Sequence, residues 1–366
     1  MKDENKEQAK EFYKKGQELF NKNKHEDAIE YFNKAIELNP NYIHAYNNRG
    51  LSKYILDNYE EAIEDFDKAI ELKPNLLSAY YYRGNVKCDL EEYENAIIDY
   101  TKCIELKPDF IINAYFQRAG AKYALGEYEE AIEDYNKTIE LRQSDAMAYY
   151  GRGNTNIKLE NYQEAINDFN KVIELKPRYI EAYHSRAYAN AYLENYKEAI
   201  IDFDKCIQLG KNEPDYYYGR GNAYLYSENY YNAIKDFDKA IELDNNYVEA
   251  YNSRADAKYN LKQFDEAIED LNKAIELDAF NCYLYNNRGL IKNELKNYKE
   301  AIEDYNKSIE LNPFYPNPYF NRGDSKYNLE EYKDALMDYN KCIELDNSYT
   351  EAYKKIEDIK NKLENK

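Results

Sequence analysis

Residues 59–72 read YEEAIEDFDKAIEL, and close variants of that string return along the chain: YENAIIDYTKCIEL at 93–106, YQEAINDFNKVIEL at 162–175, YKEAIEDYNKSIEL at 298–311. The first alanine of each copy is Ala28, Ala62, Ala96, Ala131, Ala165, Ala199, Ala233, Ala267, Ala301 and Ala335. They are 34 residues apart except once, where the step is 35; the extra residue falls in Asp109-Phe110-Ile111-Ile112. A fixed period of this length signals an array, so the usual prior of about 150 residues per domain does not apply. Within the string Tyr59, Ala62, Ile63, Phe66, Ala69 and Ile70 follow helical offsets, and the preceding segment carries Tyr46, Gly50, Tyr54 and Leu56. The polar break Asp57-Asn58 separates the two. Each period is therefore a helix-turn-helix hairpin. Pro40, Pro74, Pro108, Pro177 and Pro313 follow second helices as stop signals, because proline cannot continue the hydrogen-bond ladder.

A single hairpin cannot bury its own apolar faces, whereas stacked hairpins can, so the pattern predicts an all-α solenoid. Ten hairpins start near residues 9, 43, 77, 112, 146, 180, 214, 248, 282 and 316 and form one array over 9–349. Residues 1–8 are a charged leader, and the charged, periodic tail 350–366 reads as a capping helix. Small residues recur mid-way along the first helix: Gly16, Gly50, Gly84, Ala119, Gly153, Ala187, Gly221, Ala255, Gly289 and Gly323. They allow close helix approach, with Phe32, Phe66, Tyr100, Tyr135, Phe169, Phe203, Phe237, Leu271, Tyr305 and Tyr339 as fillers. One residue before the small position stand Arg49, Arg83, Arg118, Arg152, Arg186, Arg220, Arg254, Arg288 and Arg322. Sixteen residues after each comes Asp65, Asp99, Asp134, Asp168, Asp202, Asp236, Asp270, Asp304 or Asp338. The first hairpin lacks both, with Lys15 and Tyr31, and this joint absence points to a bidentate clip inside each hairpin rather than an anion-binding row.

This register resembles the tetratricopeptide repeat family over about nine tenths of the chain. It departs from the family pattern in three ways. Tyr replaces the first Trp in hairpins two to ten, with Phe12 in the first; Arg replaces Leu at repeat position 7 in nine hairpins; the turn glycine survives only as Gly126. The resemblance implies a right-handed superhelical solenoid whose first helices line a concave groove, with positions 2, 5, 6, 9, 12 and 13 facing inward. Carried onto this chain, positions 5, 6 and 9 give Asn47, Asn48, Tyr81, Tyr82, Asn85, Phe116, Gln117, Tyr150, Asn154, His184, Tyr188, Tyr218, Asn222, Asn252, Asn286, Asn287, Phe320 and Asn321 as a candidate peptide-binding groove. Asn offers donors and an acceptor to an extended backbone, and Tyr and Phe offer flat contact area at low entropy cost. Relatives that clamp an acidic peptide C-terminus use Lys at position 5, which no hairpin here has.

Charge narrows the partner class. Fifty basic and 70 acidic residues leave a net charge of −20, which argues against nucleic-acid backbones and anionic membranes. Glu181, Asp215, Glu249, Asp256, Glu294 and Asp324 gather in the C-terminal half of the expected groove, while Lys10 and Lys14 sit at the other end. A protein or peptide with basic residues facing that half would be steered there. The N-terminus has no apolar run of a signal peptide and no stretch reaches 18 apolar residues, so a soluble cytoplasmic protein is expected.

Catalytic and cofactor chemistry finds no foothold. His25, His44 and His184 are dispersed, so no metal site is expected. Cys103, Cys206 and Cys342 share a slot filled elsewhere by Ala, Thr, Val or Ser, so they read as buried inert thiols; Cys88 and Cys282 are isolated. There is no phosphate loop or nucleophile elbow. The Glu-rich second helices read as solvated faces, with Glu64–Lys68 and Glu133–Lys137 as i,i+4 pairs. The chain is thus expected to be a non-enzymatic interaction scaffold without cofactors. A recruiting or regulatory subunit of an enzyme complex acting in trans is the alternative reading. RNA binding by helical repeats fits the charge poorly, and self-association through the groove is a further reading.

Overall fold

The computed structural model describes residues 2–106, 111–210 and 212–364, and every regular element among them is a helix. The repeated string forms the second helix of each hairpin: α2 (His25–Leu38), α4 (Tyr59–Leu72), α6 (Tyr93–Leu106), α8 (Tyr128–Leu141), α10 (Tyr162–Leu175), α12 (Tyr196–Leu209), α14 (Tyr230–Leu243), α16 (Phe264–Leu277), α18 (Tyr298–Leu311) and α20 (Tyr332–Leu345). The first helices are α1 (Lys2–Phe20), α3 (Ile43–Ile55), α5 (Leu77–Asp89), α7 (Ile111–Leu125), α9 (Ala146–Lys158), α11 (Ile180–Tyr192), α13 (Pro214–Tyr226), α15 (Val248–Asn260), α17 (Cys282–Glu294) and α19 (Asn317–Asn328), and α21 (Thr350–Glu364) follows the tenth hairpin. Because α1 begins at Lys2, residues 2–8 of the expected leader belong to the first helix. Pro108 and the first half of the 35-residue step, Asp109 and Phe110, lie outside the described residues; Ile111 opens α7. No described helix is long and apolar enough to cross a membrane.

The chain divides into two compact units, Met1–Ala189 and Asn190–Lys366. In the first, α1 packs on α2, and likewise α3 on α4, α5 on α6, α7 on α8 and α9 on α10, while α2, α4, α6 and α8 each pack on the next first helix. The second unit repeats the scheme from α12 to α20, and α21 closes on α20. There Ala352 and Ile359 are buried with Tyr319, Phe320 and Tyr339.

The turn inside each hairpin is a Schellman motif. Asp57 is left-handed (φ 59°), its N–H reaches the Tyr54 carbonyl (3.0 Å), and the Asn58 N–H reaches that of Lys53 (2.9 Å). The same conformation is held by Asn23, Glu91, Glu160, Glu194, Glu228, Lys262, Lys296 and Glu330, and by one glycine, Gly126 (φ 81°).

The arginine clip is present and wider than its sequence signal. In hairpins 2, 3, 4, 5, 7, 8, 9 and 10 the arginine Nε and Nη2 both donate to the carboxylate sixteen residues on. In Arg118–Asp134, for example, both bonds are 2.7 Å. The remaining nitrogen, Nη1, donates backwards to the second helix of the preceding hairpin: Arg49 to Asn33 (2.6 Å), Arg118 to Thr101 (2.9 Å), Arg254 to Asp238 (2.6 Å), Arg288 to Asn272 (2.6 Å) and, in the sixth hairpin, Arg186 to Asn170. Neutral Asn and Thr serve as well as Asp, so this inter-hairpin arm leaves no charge pattern in the sequence. Each guanidinium also lies 5.4–5.7 Å from the ring of the tyrosine three residues earlier, Tyr46 to Tyr319. Several of those tyrosine hydroxyls donate to a loop carbonyl six residues back, as Tyr80 does to Pro74 and Tyr319 to Pro313 (3.2 Å each). The Tyr-for-Trp and Arg-for-Leu departures are therefore one device. In the first hairpin Phe12 and Tyr31 face each other instead, ring centroids 6.2 Å apart.

A lysine four residues after the arginine adds a second cation to the carboxylate (2.7–3.0 Å) in hairpins 2, 3, 4, 8, 9 and 10. Asn156 and Tyr224 stand in that place in hairpins 5 and 7. There burial pushes the Asp168 and Asp236 carboxyls up from the usual range, against the pull of Arg152 and Arg220. The exposed lysines of the second helices correct an expectation: Lys68 and Lys137 pair forward with Glu71 and Glu140 (2.8 Å each) rather than back with Glu64 and Glu133. Both offsets are adjacent on a helix surface, and such exposed pairs are worth little.

Ring packing follows a rule that spans neighbouring hairpins. Where the small residue of the first helix is glycine, a Cβ there would meet the filler ring of the same hairpin at 2.6–3.0 Å: Phe32 at Gly16, Tyr100 at Gly84, Phe169 at Gly153, Tyr305 at Gly289. Where the small residue is alanine, the ring needs room elsewhere. After Ala119 the Tyr135 ring lies against Gly151 of the next first helix (2.5 Å to a Cβ placed there), and Phe203 lies likewise against Gly219. The eighth hairpin has Ala255, but the corresponding residue of the ninth is Asn287, and the filler is Leu271. With neither glycine, no ring fits.

Three outcomes follow from this packing. Leu271→Phe alone should cost about 1–3 kcal/mol by overpacking, and Ala255→Gly in the same chain should recover most of it; additive losses in urea unfolding would refute the rule. Arg152→Met should destabilise by about 3–5 kcal/mol by stranding Asp168, while Arg152→Met with Asp168→Leu should be close to neutral. Because the folded Asp168 value is raised, its contribution is full below the unfolded value and is lost as pH rises through the folded one. Asn156→Lys should therefore raise the thermal midpoint at pH 7, with a gain that shrinks as pH falls through about 4.

Candidate functional site

Within each unit the expected groove residues lie on the first helices, but they are not equally available. Position 5 is mainly a packing position. In the first compact unit Tyr81 lies 6.1 Å from Tyr100, Phe116 5.9 Å from Tyr135, and Tyr150 5.9 Å from Phe169 and 5.2 Å from Tyr179, centroid to centroid. In the second, Tyr218 lies 6.0 Å from Phe237 and 4.9 Å from Tyr247. Phe320 is buried between Tyr339 (5.6 Å) and Tyr349 (5.0 Å). These rings pack on the fillers of their own hairpins, and Tyr81, Phe116, Tyr150 and Tyr218 are half-buried there.

The asparagines at positions 5 and 6 bond to one another. Asn47 is buried, donates to Asn48 (3.2 Å) and accepts from Ser78 (2.9 Å); Asn48 donates to the Tyr13 hydroxyl (3.0 Å). In the second unit an amide ladder runs from Asn321 to Asn286 (2.9 Å), from Asn286 to Asn287 (3.3 Å) and from Asn287 to Asn252 (3.0 Å). Asn286 is buried within it. An asparagine has two donor hydrogens and two acceptor lone pairs. The ladder uses one of each at most steps, so Asn252, Asn287 and Asn321 keep hydrogen-bonding capacity toward the open face. Asn85 accepts from Tyr100 (2.9 Å), Gln117 reaches the Tyr81 hydroxyl, Tyr82 stacks on Phe66, and His184 meets Tyr188 edge-on at 4.9 Å. Asn154 and Asn222, both at position 9, are half-buried.

The acidic residues also divide. Asp324 accepts from Tyr339 (2.6 Å) and pairs with Lys355 of α21 (2.8 Å), so its charge is spent inside the fold. Asp215 accepts from Tyr247 (2.7 Å). Asp256 and Glu294 remain exposed, and Asp256 has a hydrogen bond from Asn260 (3.1 Å). Desolvation nonetheless raises the Asp256 carboxyl, because protein flanks it on several sides.

A cleft of about 220 Å³ opens in the second unit between α15 and α17. Asn252, Ala255, Asp256, Tyr259, Leu271, Asn287, Leu290 and Ile291 line it. It exists because hairpin eight lacks a ring at both places that fill other hairpins, position 5 (Asn252) and the filler (Leu271). Reading positions one at a time misses this, because only the joint absence of both rings marks it.

Burial pushes the Cys103 thiol up to about 12 and the Cys342 thiol up to about 11, and it raises Cys88, so these three stay protonated and poorly nucleophilic at neutral pH. Among the described residues no group of three or more His, Cys, Asp or Glu is placed to hold a metal ion.

Models of the tetratricopeptide repeat match residues 7–42, 44–76, 78–110, 146–179, 214–247, 248–281 and 282–315, and further repeat models match 119–160, 180–212 and 316–349. The chain belongs to the tetratricopeptide repeat family. An uncharacterized protein of Methanocaldococcus jannaschii is 56% identical over 54 residues, which is 15% of this chain and 63% of that relative's length. Among solved structures, a tetratricopeptide repeat protein from Parabacteroides merdae is 21% identical with a TM-score of 0.51, over 69% of this chain and 99% of that one. The Cut9–Hcn1 hetero-tetramer of the APC/C is 15% identical with a TM-score of 0.52, over 96% and 76%. YrrB, described as a tetratricopeptide repeat protein with an unusual peptide-binding site, is 26% identical with a TM-score of 0.41, over 49% and 92%. At these identities the likeness of the first two establishes the fold.

Within this tetratricopeptide array the filler tyrosines differ in how their hydroxyls are satisfied. The tyrosine fillers Tyr100 and Tyr339 donate to position 9 of their own hairpins, Asn85 and Asp324. Position 9 in hairpin nine is Leu290, and the buried Tyr305 hydroxyl has no hydrogen-bond partner. Tyr305→Phe should therefore be neutral or stabilising, whereas Tyr339→Phe should cost about 1–3 kcal/mol by leaving Asp324 one donor short. Thermal unfolding of the two variants side by side checks the contrast.

Proposed function

We propose that the chain is a non-enzymatic protein-interaction scaffold that holds extended segments of partner proteins on its first-helix faces. The observation that carries this reading is the division of labour among polar groups. The arginines, the buried aspartates and the thiols are committed to the fold. Half-buried amides or hydroxyls stand at position 6 or 9 in each of hairpins two to ten, and several keep donors and acceptors unused by the fold. A polypeptide backbone offers complementary groups at regular intervals, and many weak contacts along one chain add through effective concentration. The exposed Asp215, Glu249, Asp256 and Glu294 favour a partner segment carrying basic residues opposite the second unit.

Tyr150→Ala and Tyr218→Ala are poor probes, because those rings pack against Phe169 and Phe237. Asn154→Lys and Asn222→Lys alter only half-buried position 9. Partner capture by this pair should fall at least about tenfold, the equivalent of 1.4 kcal/mol, while Lys235→Glu on the exposed side of α14 should leave capture unchanged. A partner held equally by all three proteins would move the site off the first helices.

A further inference from the structure

The eighth hairpin differs from the others in what it lacks, and the gap is lined in a particular way. Ala255, Leu271 and Ile291 are buried along it, Leu290 and Tyr259 are half-buried, and Asp256 is exposed. We propose that this cleft is a socket for one long basic side chain, lysine or arginine, of a bound polypeptide. The proposal rests on the interaction reading above and gives it an anchor point.

The fit is chemical at both ends. Lysine and arginine carry three or four methylenes below the charge, and such stems bury readily on aliphatic surface while the head stays near water. The cleft supplies buried aliphatic surface and an exposed carboxylate. Asp256 has one hydrogen bond, from Asn260, and among the described residues no lysine or arginine pairs with it. A cation arriving there meets a carboxylate already partly stripped of water, the setting in which an ion pair costs least to complete. Glu294 lies close enough to act on Tyr259 and adds to the negative field. An acidic side chain would be repelled by both. A purely apolar one would cover the aliphatic surface and leave Asp256 more desolvated than before. Arginine has a further advantage, since its weakly hydrated planar head can donate to Asp256 and to an asparagine carbonyl of the ladder together. Because desolvation raises the Asp256 carboxyl, occupancy should weaken on acidification sooner than for an ordinary carboxylate.

Small probes test the socket without a known partner. The full chain, ¹³C-labelled at Leu and Ile methyls, is titrated with N-acetyl-arginine amide, N-acetyl-lysine amide, N-acetyl-leucine amide and N-acetyl-glutamate amide. The two basic amides should shift the methyls of Leu271, Leu290 and Ile291 saturably. Asp256→Asn should weaken that binding at least tenfold. Ala255→Gly with Leu271→Phe, which restores the packing of the glycine hairpins, should abolish it. The leucine amide binding as tightly as the basic pair would overturn the proposal, and so would silence from all four amides. The two readings separate cleanly. If the cleft methyls stay silent while capture still depends on Asn154 and Asn222, the socket falls and the scaffold stands. If the basic amides bind while capture ignores those positions, the socket stands and the wider face falls.

Discussion

The guanidinium at repeat position 7 joins three things at once: the aspartate of its own second helix, an acceptor on the second helix before it, and the tyrosine ring one turn earlier on its own helix. The first bond sets how the two helices of a hairpin lie together. The second sets where one hairpin lies on the last. A pair of this kind, with carboxylates only a few per cent exposed, contributes little net stability against its desolvation cost. Its importance is geometric, since a planar fork with five fixed donors admits few arrangements. Nearest-neighbour contact is all that holds a repeat array together, so a group that reaches both ways carries much of the register.

The aromatic fillers obey that register and reveal its tolerance. A ring needs glycine on one side, its own first helix or the next. Glycine in a helix costs about 0.5–1 kcal/mol relative to alanine, so the chain carries one such cost per ring and does not place both glycines together. Hairpin eight carries neither, gives up the ring, and keeps a cleft. The cleft of hairpin eight and its non-aromatic filler, Leu271, have the same cause.

Most of the fold was legible in the sequence because it is written ten times. Ala28 to Ala335 set the period, Tyr59 to Ile70 the helical face, and the joint absence of Arg and Asp from the first hairpin set the clip. Three things were not legible. The backward arm of the arginine ends on Asn33, Thr101 or Asp238 indifferently, so no single residue type marks it. The amide ladder was hidden because asparagine looks alike whether it faces a ligand or another asparagine, and Asn47 and Asn286 turned out buried. The cleft was hidden because it depends on three residues, Ala255, Leu271 and Asn287, whose meaning lies only in combination.

The two packing devices differ in what they permit over evolutionary time. The arginine ladder reads sixteen residues forward and sixteen back, seventeen only for Arg118 across the 35-residue step, so loss or duplication of a whole internal 34-residue block closes it again without a break. The ring rule is less forgiving. A hairpin with alanine at the small position keeps an aromatic filler only when the next one has glycine two places before its own small residue, as Ala119 is followed by Gly151. The order of repeats is therefore partly grammatical: some hairpins can be shuffled freely, while others can move only with their successor.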